Sequence, residues 1–259
     1  MEIAGKNIVV TGGGNGIGRA LCERFAAEGA ARLTVVDLDL ESAERVARAT
    51  KGIARCVDVA DRGAIEELVA EVESAAGPID LFVSNAGIFI EGGPEVAVED
   101  WQKIWDINLM AHVHAAKAVL PSMLKRGEGY LLNTCSAAGL LSQIGTAPYT
   151  VTKHAAVAFA EWISITYGNR GIKVSALCPQ AVRTNMSAGV EGGGVAGVDG
   201  MLEPEELAEV TVAGLRDERF LILPHEIVKT YYERKGKDID RWLAGMRRLA
   251  DKFGDQGLG

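Results

Sequence analysis

Short apolar runs rich in β-branched residues alternate along the chain with longer segments in which apolar residues recur at helical spacing. The short runs show little alternation of apolar and polar residues, which is typical of strands buried on both faces of a parallel sheet. They predict seven strands, at residues 7–11, 33–37, 53–57, 81–84, 130–135, 173–178 and 220–223. The longer segments predict helices at residues 17–28, 40–50, 62–75, 98–126 and 149–168, and a further helix that opens at Pro204.

This succession of elements predicts an α/β fold. Strands and helices that alternate through right-handed crossovers build a doubly wound parallel sheet with helices on both faces. The connections are short, and none of them reads as a linker between domains. We therefore expect residues 1–259 to form a single domain.

Two segments depart from the alternation. Residues 186–203 contain too much glycine for a stable helix, so they form either a disordered surface loop or a lid that closes over a substrate. Residues 224–253 have the pattern of an amphipathic helical tail. Its aromatic and thioether side chains are expected to face the protein body or a neighbouring subunit: Tyr231, Tyr232, Trp242 and Met246.

Composition narrows the function classes. The formal net charge is −8 and the pI is near 5.2, so the chain lacks the basic surplus that a nucleic-acid partner requires. The four cysteines are isolated from one another and no Cys/His ligand cluster appears, so no metal site is predicted. We see neither a signal-peptide pattern nor an apolar stretch long enough to span a membrane, and we expect a soluble cytoplasmic protein.

Tyr149 and Lys153 stand four residues apart in a predicted helix, so their side chains project from the same face. A nearby cation favours phenolate over phenol and lowers the pKa of a tyrosine. Such a tyrosine can exchange a proton with an alcohol or a ketone. A solvated helix face is the alternative explanation for the pair taken alone.

A glycine-rich segment, residues 11–18, joins the first strand to the first helix. Glycines let the backbone approach a pyrophosphate, and a helix start directs N–H groups towards phosphate. Asp37 ends the second strand, where a carboxylate can bind the adenosine ribose hydroxyls and would repel the 2′-phosphate of NADP. Asn15 and Leu38 supply no cation at the neighbouring positions, so NAD is the expected coenzyme. A ligand-free turn is the alternative.

Several spaced motifs follow one another along the chain: Thr11, Gly12, Gly16 and Gly18; Asp58 followed by Val59; Asn85-Ala86-Gly87; Asn108; Ser136; Tyr149 and Lys153. In this order they resemble the motifs of the short-chain dehydrogenase/reductase family, in its compact single-domain branch, over roughly residues 5–225. The resemblance implies a Rossmann fold whose seven-stranded sheet has the order 3-2-1-4-5-6-7.

The resemblance also implies roles for these residues. Ser136 would hydrogen-bond the substrate oxygen, Tyr149 would take or give the hydroxyl proton, and Lys153 would lower the tyrosine pKa and hold the nicotinamide ribose. Asn108 would support a proton path to the lysine, and Asn85 would tie neighbouring strands together. The coenzyme contacts expected are Thr11, Gly12, Asn15, Gly16, Ile17, Gly18, Asp37, Leu38, Asp58, Val59, Asn85, Ala86, Gly87, Tyr149, Lys153, Pro179, Val182 and Thr184.

The segment after the sixth strand departs from the family pattern, since Gln180 follows Pro179 where glycine is usual. Glycine there would let the chain pass close to the nicotinamide, so the course of this loop is left open. Arg183 could meet an anionic substrate group or remain solvated. The residues expected to face the substrate are mostly apolar: Ser136, Ala137, Ala138, Leu140, Gln143, Ile144, Gln180 and Met186.

These observations predict a NAD-dependent oxidoreductase that acts on a secondary alcohol or its ketone, with a hydrophobic small molecule as substrate. The alternatives are an NADP-dependent 3-oxoacyl-thioester ketoreductase and a non-catalytic NAD(H)-binding sensor or assembly protein. The long predicted helices at 98–126 and 149–168 carry more apolar and small residues than one core-facing stripe needs. We therefore expect a homotetramer, with a dimer as the second possibility.

Overall fold

The computed structural model describes residues 1–253, apart from the side chain of Glu191. The predicted single domain was drawn over residues 1–259, of which 254–259 lie outside the described part. No helix of residues 1–253 is both long enough and apolar enough to cross a membrane.

Seven parallel strands form one sheet in the order β3-β2-β1-β4-β5-β6-β7. Their bounds are Asn7–Thr11 (β1), Arg32–Asp37 (β2), Ile53–Cys56 (β3), Leu81–Ser84 (β4), Gly129–Thr134 (β5), Ile172–Leu177 (β6) and Leu221–Ile222 (β7). Every residue of β1, β4 and β5 is buried, as their uninterrupted apolar runs require. The predicted fold class and strand order are confirmed.

Helices cover both faces of the sheet and bury their apolar sides against it. The helices are Gly16–Ala27 (α1), Leu40–Thr50 (α2), Arg62–Ala76 (α3), Val98–Trp105 (α4), Ala111–Arg126 (α5), Ala138–Leu141 (α6), Ala147–Tyr167 (α7), Pro204–Arg216 (α8), Ile227–Lys237 (α9) and Ile239–Phe253 (α10). Core residues of α1, α2 and α8 pack on one face, and those of α3, α5 and α7 pack on the other. This is the doubly wound arrangement.

The predicted helix at 98–126 is wrong as a continuous α-helix. A π-helical turn, Asp106–Met110, separates α4 from α5. Asn108 lies in this turn, and both ends of its side-chain amide bond the backbone of Ile88, which holds the widened turn against the segment after β4. π-turns of this kind are often found at functional sites.

The glycine-rich segment and the tail also differ in detail from their patterns. Short 3-10 turns occur at Asn185–Ser187 and Glu191–Gly197, and Gly192, Gly193 and Gly194 interrupt the second of them with positive φ angles. The tail consists of two helices, α9 and α10, separated at Asp238. The sequence pattern did not predict the short helix α6, which follows β5 directly.

Candidate active site

A cavity of about 1630 Å³ lies at the carboxyl ends of the strands. Its wall includes the residue that ends β2, Asp37, and residues that follow β1, β4, β5 and β6, namely Gly12, Asn85, Ser136 and Pro179. In open α/β sheets, ligands bind in the crevice outside these strand ends, where the strand order reverses. Here the reversal falls between β1 and β4.

The cavity brings together most of the residues predicted for coenzyme and catalysis. Its wall contains Gly12, Asn15, Gly16, Ile17, Asp37, Leu38, Asp58, Val59, Asn85, Ala86, Gly87, Ser136, Tyr149, Lys153, Pro179, Val182 and Thr184. The predicted substrate residues Ala137, Ala138, Gln143, Ile144, Gln180 and Met186 line it as well. Among the described residues, Thr11, Gly18, Asn108 and Leu140 lie outside the wall.

The start of α7 positions Tyr149. Thr146 caps the helix by accepting a hydrogen bond from the Tyr149 backbone N–H at 3.3 Å, and Pro148 occupies the first turn, where its missing N–H costs nothing. The tyrosine ring packs against Phe89 with 5.0 Å between ring centres. The ring is thus fixed between the helix start and the segment after β4, with one side on the cavity.

Lys153 follows one helical turn later and is 3% exposed. Its Nζ donates a hydrogen bond to the backbone oxygen of Thr134 at 2.9 Å and lies 5.6 Å from the centre of the Tyr149 ring. Burial lowers the pKa of this ammonium, because the charged form is poorly solvated there. The Lys153 side chain therefore extends from α7 to the end of β5 and passes close to the Tyr149 phenol ring.

The expected depression of the Tyr149 pKa is wrong for the chain by itself. Burial raises the pKa of Tyr149 to about 12, and the hydroxyl of Ser136 opposes this shift only in part. Desolvation of the phenolate outweighs the hydrogen bond to Ser136, since an anion loses more solvation on burial than the neutral phenol does. The pairing of Tyr149 and Lys153 in space is as predicted, but the shift has the opposite sign.

Ser136 and Asn108 lie near Tyr149 and Lys153, and each also makes hydrogen bonds that support the local structure. The Ser136 hydroxyl accepts a hydrogen bond from the Ala138 N–H at 3.1 Å and so supports the start of α6, while Ser136 also lines the cavity. Asn108 accepts from the Ile88 N–H at 2.8 Å and donates to the Ile88 oxygen at 2.9 Å. A Cβ placed on Gly87 would lie 3.2 Å from the Asn108 Oδ1 and 3.6 Å from the Lys153 Nζ, so these two side chains flank the same glycine.

The glycine segment after β1 forms a tight cradle. Gly12 has φ +62°, and a Cβ there would lie 2.9 Å from the Ala86 Cα. Only glycine combines this backbone angle with so close an approach. The cap residue of α1, Asn15, makes no side-chain cap hydrogen bond within the described chain. The first amides of α1 therefore stay available to an anion at the cavity wall.

Hydrogen bonds fix the Asp37 carboxylate beside this cradle. Oδ2 accepts from the Gly14 N–H at 2.9 Å and Oδ1 accepts from the Asp39 N–H at 3.1 Å. A Cβ on Gly14 would lie 2.9 Å from that Oδ2, so Gly14, which the motif analysis did not select, is what lets the carboxylate approach the loop. Asp58 lies exposed along the same wall, and its carboxylate accepts from the Ala60 N–H.

Asn85 connects three strand ends. Its Nδ2 donates to the backbone oxygens of Thr11 and Gly12 at 3.0 and 3.2 Å, and its Oδ1 accepts from the Thr134 hydroxyl at 3.1 Å. The Thr11 hydroxyl in turn accepts from the backbone N–H of Asn85 at 2.9 Å. Asn85 therefore bridges β1 and β5, in line with the tie between strands that the resemblance implied.

Gln180 needs no special backbone angle. Among the described residues, the positive φ angles outside glycine are those of Lys51, Ser142 and Glu218, so glycine is not required at position 180. The Gln180 Nε2 donates to the Asp199 Oδ2 at 3.1 Å, and the Tyr231 hydroxyl donates to the Asp199 Oδ1 at 3.0 Å. Gln180 thus joins the loop after β6 to the glycine-rich segment and, through Asp199, to α9.

Arg183 does not face the cavity. Its Nε lies 2.8 Å from the Glu203 Oε1, in an ion pair on the protein surface. This contact connects the two ends of the glycine-rich segment, because residue 183 precedes it and residue 203 ends it. Within residues 1–253, no group of three His, Cys, Asp or Glu side chains is arranged to hold a metal ion.

The tail supplies the cavity residues that sequence reasoning missed. Nine residues of the tail from Asp238 onwards line the wall: Asp238, Arg241, Trp242, Gly245, Met246, Arg248, Leu249, Lys252 and Phe253. Their spacing of three and four residues is that of one helix face, and this pattern was the signal available in the sequence. Tyr231, Trp242 and Met246 face the cavity as part of the protein body, whereas Tyr232 is exposed.

Several known proteins have similar sequences. The family model described as short chain dehydrogenase matches residues 6–192. Meso-2,3-butanediol dehydrogenase from Serratia marcescens is 36% identical over 193 residues, which are 73% of this chain and 76% of that protein. A 1-deoxy-11-beta-hydroxypentalenate dehydrogenase from Streptomyces exfoliatus is 32% identical over 253 residues, which are 94% of this chain and 92% of that one.

A solved structure extends the comparison to the fold. The crystal structure of a short chain dehydrogenase/reductase from Burkholderia phymatum in complex with NAD aligns with a TM-score of 0.84 at 27% identity, and the alignment covers 93% of this chain and 96% of that one. The chain therefore belongs to the short-chain dehydrogenase/reductase family and is an oxidoreductase that acts on alcohol or ketone substrates.

Proposed function

We propose that this protein is a NAD-dependent dehydrogenase that oxidises a secondary alcohol to its ketone and also catalyses the reverse reduction. One observation carries the proposal: a single cavity has the Asp37 carboxylate in its wall together with Ser136, Tyr149 and Lys153. A dinucleotide bound with its adenosine at Asp37 can extend past the strand ends towards Tyr149. A substrate oxygen next to Tyr149 would then lie beside the nicotinamide.

The residues of the cavity suit a nicotinamide dinucleotide. The pyrophosphate would lie against Gly12 and the start of α1, where the cradle excludes a side chain and leaves amides available. The nicotinamide ribose hydroxyls would meet Tyr149 and Lys153. Val182 and Thr184 also line the wall and are the proposed contacts for the carboxamide.

The charge near the adenosine ribose favours NAD over NADP. The Asp37 carboxylate is held towards the cradle and would repel a 2′-phosphate. Arg45 is the observation that favours NADP, because a cation near the cradle attracts a 2′-phosphate. Its Nη2 lies 3.4 Å from the Asn15 Oδ1 and 3.1 Å from the Ser42 Oγ. Arg45 is exposed and already has these partners, so the Asp37 carboxylate is the stronger determinant and NAD is the proposed coenzyme.

Tyr149 is the proposed proton carrier. Its pKa, raised to about 12 by burial, keeps the phenol protonated at neutral pH, which suits donation of a proton to the oxygen of a ketone. When bound, the oxidised nicotinamide supplies a hydride acceptor and a positive charge. For oxidation, positive charge near the phenol favours the phenolate, and the Lys153 Nζ lies 5.6 Å from the centre of the Tyr149 ring. The Ser136 hydroxyl would orient the substrate oxygen.

The substrate side of the cavity favours an apolar alcohol. Apolar side chains from four segments line it: Phe89, Leu141, Ile144, Met186 and Trp242. By their names, the two similar dehydrogenases act on a small diol and on a hydroxypentalenate. These substrates differ in size, so the names do not indicate how large the substrate of this protein is. The cavity has room for a substrate larger than a butanediol.

We also propose that the protein forms a homotetramer. Large apolar side chains remain exposed on α4 and α7, including Val98, Trp162 and Ile165, of which Ile165 is 76% exposed. Exposed apolar residues grouped on helix faces are typical of subunit contacts. Sedimentation of a monomer at micromolar concentration would contradict this.

The function is tested by turnover with a panel of secondary alcohols, with NAD and NADP supplied separately. We expect NADH absorbance to develop with NAD, and Tyr149→Phe to reduce kcat by about 10² to 10⁴, the usual range for loss of a proton donor. Fluorescence titration should show that Tyr149→Phe still binds NADH. Activity confined to NADPH and acyl thioesters would favour the ketoreductase, and NADH binding without any turnover would favour a sensor.

A further inference from the structure

A row of cations on the C-terminal helices faces the substrate part of the cavity. Two come from α9 and three from α10: Arg234, Lys237, Arg241, Arg248 and Lys252. The chain as a whole is acidic, with a net charge of −8, so the positive charge on this face is opposite in sign to the net charge of the protein. We call these five residues the tail cations.

The tail cations share their helix face with apolar residues. On α10, Trp242, Met246, Leu249 and Phe253 line the cavity between the charged side chains. A ligand lying along this face would meet apolar surface flanked by positive charge. Molecules that fit both features carry an apolar body and an anionic group.

Hydrogen bonds tie this helix face to the active site. The Lys235 Nζ donates to the backbone oxygen of Leu140 in α6, the helix next to Ser136, at 2.6 Å. Tyr231 bonds Asp199 and contacts the Trp242 ring with 6.3 Å between ring centres. The tail is therefore a wall of the catalytic cavity, fixed to the segment that carries the predicted substrate residues.

The tail cations keep their charge available for a ligand. All salt bridges within residues 1–253 use other cations. Three acids line this part of the cavity, Glu91, Asp199 and Asp238. Asp199 accepts from Gln180 and Tyr231, and Asp238 accepts from the Arg241 backbone N–H. A surplus of two positive charges remains.

We infer that the substrate is an apolar hydroxy acid or the corresponding keto acid, whose carboxylate is held at the tail cations while its carbinol lies at Tyr149. The inference rests on the proposed function, because it names the substrate class of the same site. Arg241 and Arg248 stand on the cavity face of α10, seven residues apart, and so lie on the same side of the helix two turns from each other. They are the specificity residues proposed for the carboxylate.

The test measures binding, so it does not depend on turnover. Calorimetry on the NADH-saturated protein, in which alcohols cannot be oxidised, would compare three apolar carboxylates of increasing size, cyclohexanecarboxylate, decanoate and deoxycholate, each with its neutral methyl ester. We expect at least one acid to bind about tenfold more tightly than its ester, as two partly exposed ion pairs can provide. Added NaCl should weaken binding of the acid and leave that of the ester nearly constant.

Paired charge removals locate the effect. Arg241→Gln with Arg248→Gln should abolish the preference for acid over ester. The control, Arg247→Gln with Lys229→Gln, removes two charges from the same helices at exposed positions outside the cavity and should keep the preference. Equal binding of acid and ester in all three pairs, or equal loss in the control, would overturn the inference. If neutral secondary alcohols are still oxidised with NAD in that case, the proposed function stands without it.

Discussion

The two ends of the active-site cavity are built in different ways. At the coenzyme end, Gly12, Asp37 and Asn85 stand at the ends of adjacent parallel strands, and hydrogen bonds between side chains and backbone groups hold them. At the substrate end, the wall comes from the glycine-rich segment and from α9 and α10, which few side-chain bonds attach to the body. The sheet thus fixes nucleotide geometry, while substrate recognition is left to segments that can change without disturbing the sheet.

Because the two ends are built differently, a substitution should have wider structural effects at the coenzyme end than at the substrate end. Asn85 contacts β1 and β5 at once, so a displacement there moves several strand ends together. Asp199 accepts only side-chain donors, Gln180 and Tyr231, and sits in a segment without regular strands or long helices. We therefore expect large effects on coenzyme use at the first end and small, substrate-selective effects at the second.

Among changes that compare the two ends of the cavity, the largest effect is expected from closing the cradle with Gly12→Ala. The new Cβ would lie 2.9 Å from the Ala86 Cα at a backbone angle that costs an L-residue about 1–2 kcal/mol. We expect kcat/KM for NAD to fall on the order of 100-fold, since the pyrophosphate site and Ala86 shift together.

Gly5→Ala is the matched control for this change. Gly5 also has a positive φ, +78°, but nothing lies within 4 Å of an added Cβ. Gly5→Ala should lower the free energy of unfolding by a similar backbone cost and leave kcat/KM for NAD unchanged. A similar loss of activity in both variants would show that backbone strain, and not the cradle, explains the effect.

The next effect is a change of coenzyme preference with Asp37→Asn. Asparagine keeps an acceptor for one of the Gly14 and Asp39 amides, loses the other acceptor, and removes the charge that opposes a 2′-phosphate. We expect the ratio of kcat/KM for NAD to that for NADP to fall about tenfold or more, measured from initial rates. Arg45→Gln in the same background should reverse part of the gain for NADP. An unchanged ratio would remove Asp37 as the basis of NAD preference.

The smallest effect is expected at the substrate end, with Asp199→Asn. The amide can still accept from Tyr231 but loses one of its two carboxylate acceptors and its charge, so the tie among Gln180, Asp199 and Tyr231 weakens by about 1 kcal/mol. KM for the alcohol should rise severalfold while KM for NAD stays constant. Asp240→Asn, on α10 outside the cavity wall, serves as the control. A matching rise in KM for NAD would mean that the two ends are not independent.

Local patterns were sufficient for much of the fold and for the coenzyme end. Apolar runs located all seven strands to within two residues, and strand order followed from the family resemblance. Asp37, the glycine segment and the pair Tyr149 and Lys153 are each short-range features, and the family resemblance implied that they meet at one site. Such features can be predicted from sequence because a helix face or a strand end fixes the relative positions of residues that are close together in the chain.

Tertiary structure alone decided the electrostatics and the partners. The pKa of Tyr149 rises because of burial, and burial depends on packing by segments distant in the chain. Arg183 pairs with Glu203, Gln180 bonds Asp199, and α10 turns its cationic face to the cavity. Periodicity shows that a helix has two faces, but only the packed structure shows which surface each face meets, because that depends on contacts between residues far apart in sequence.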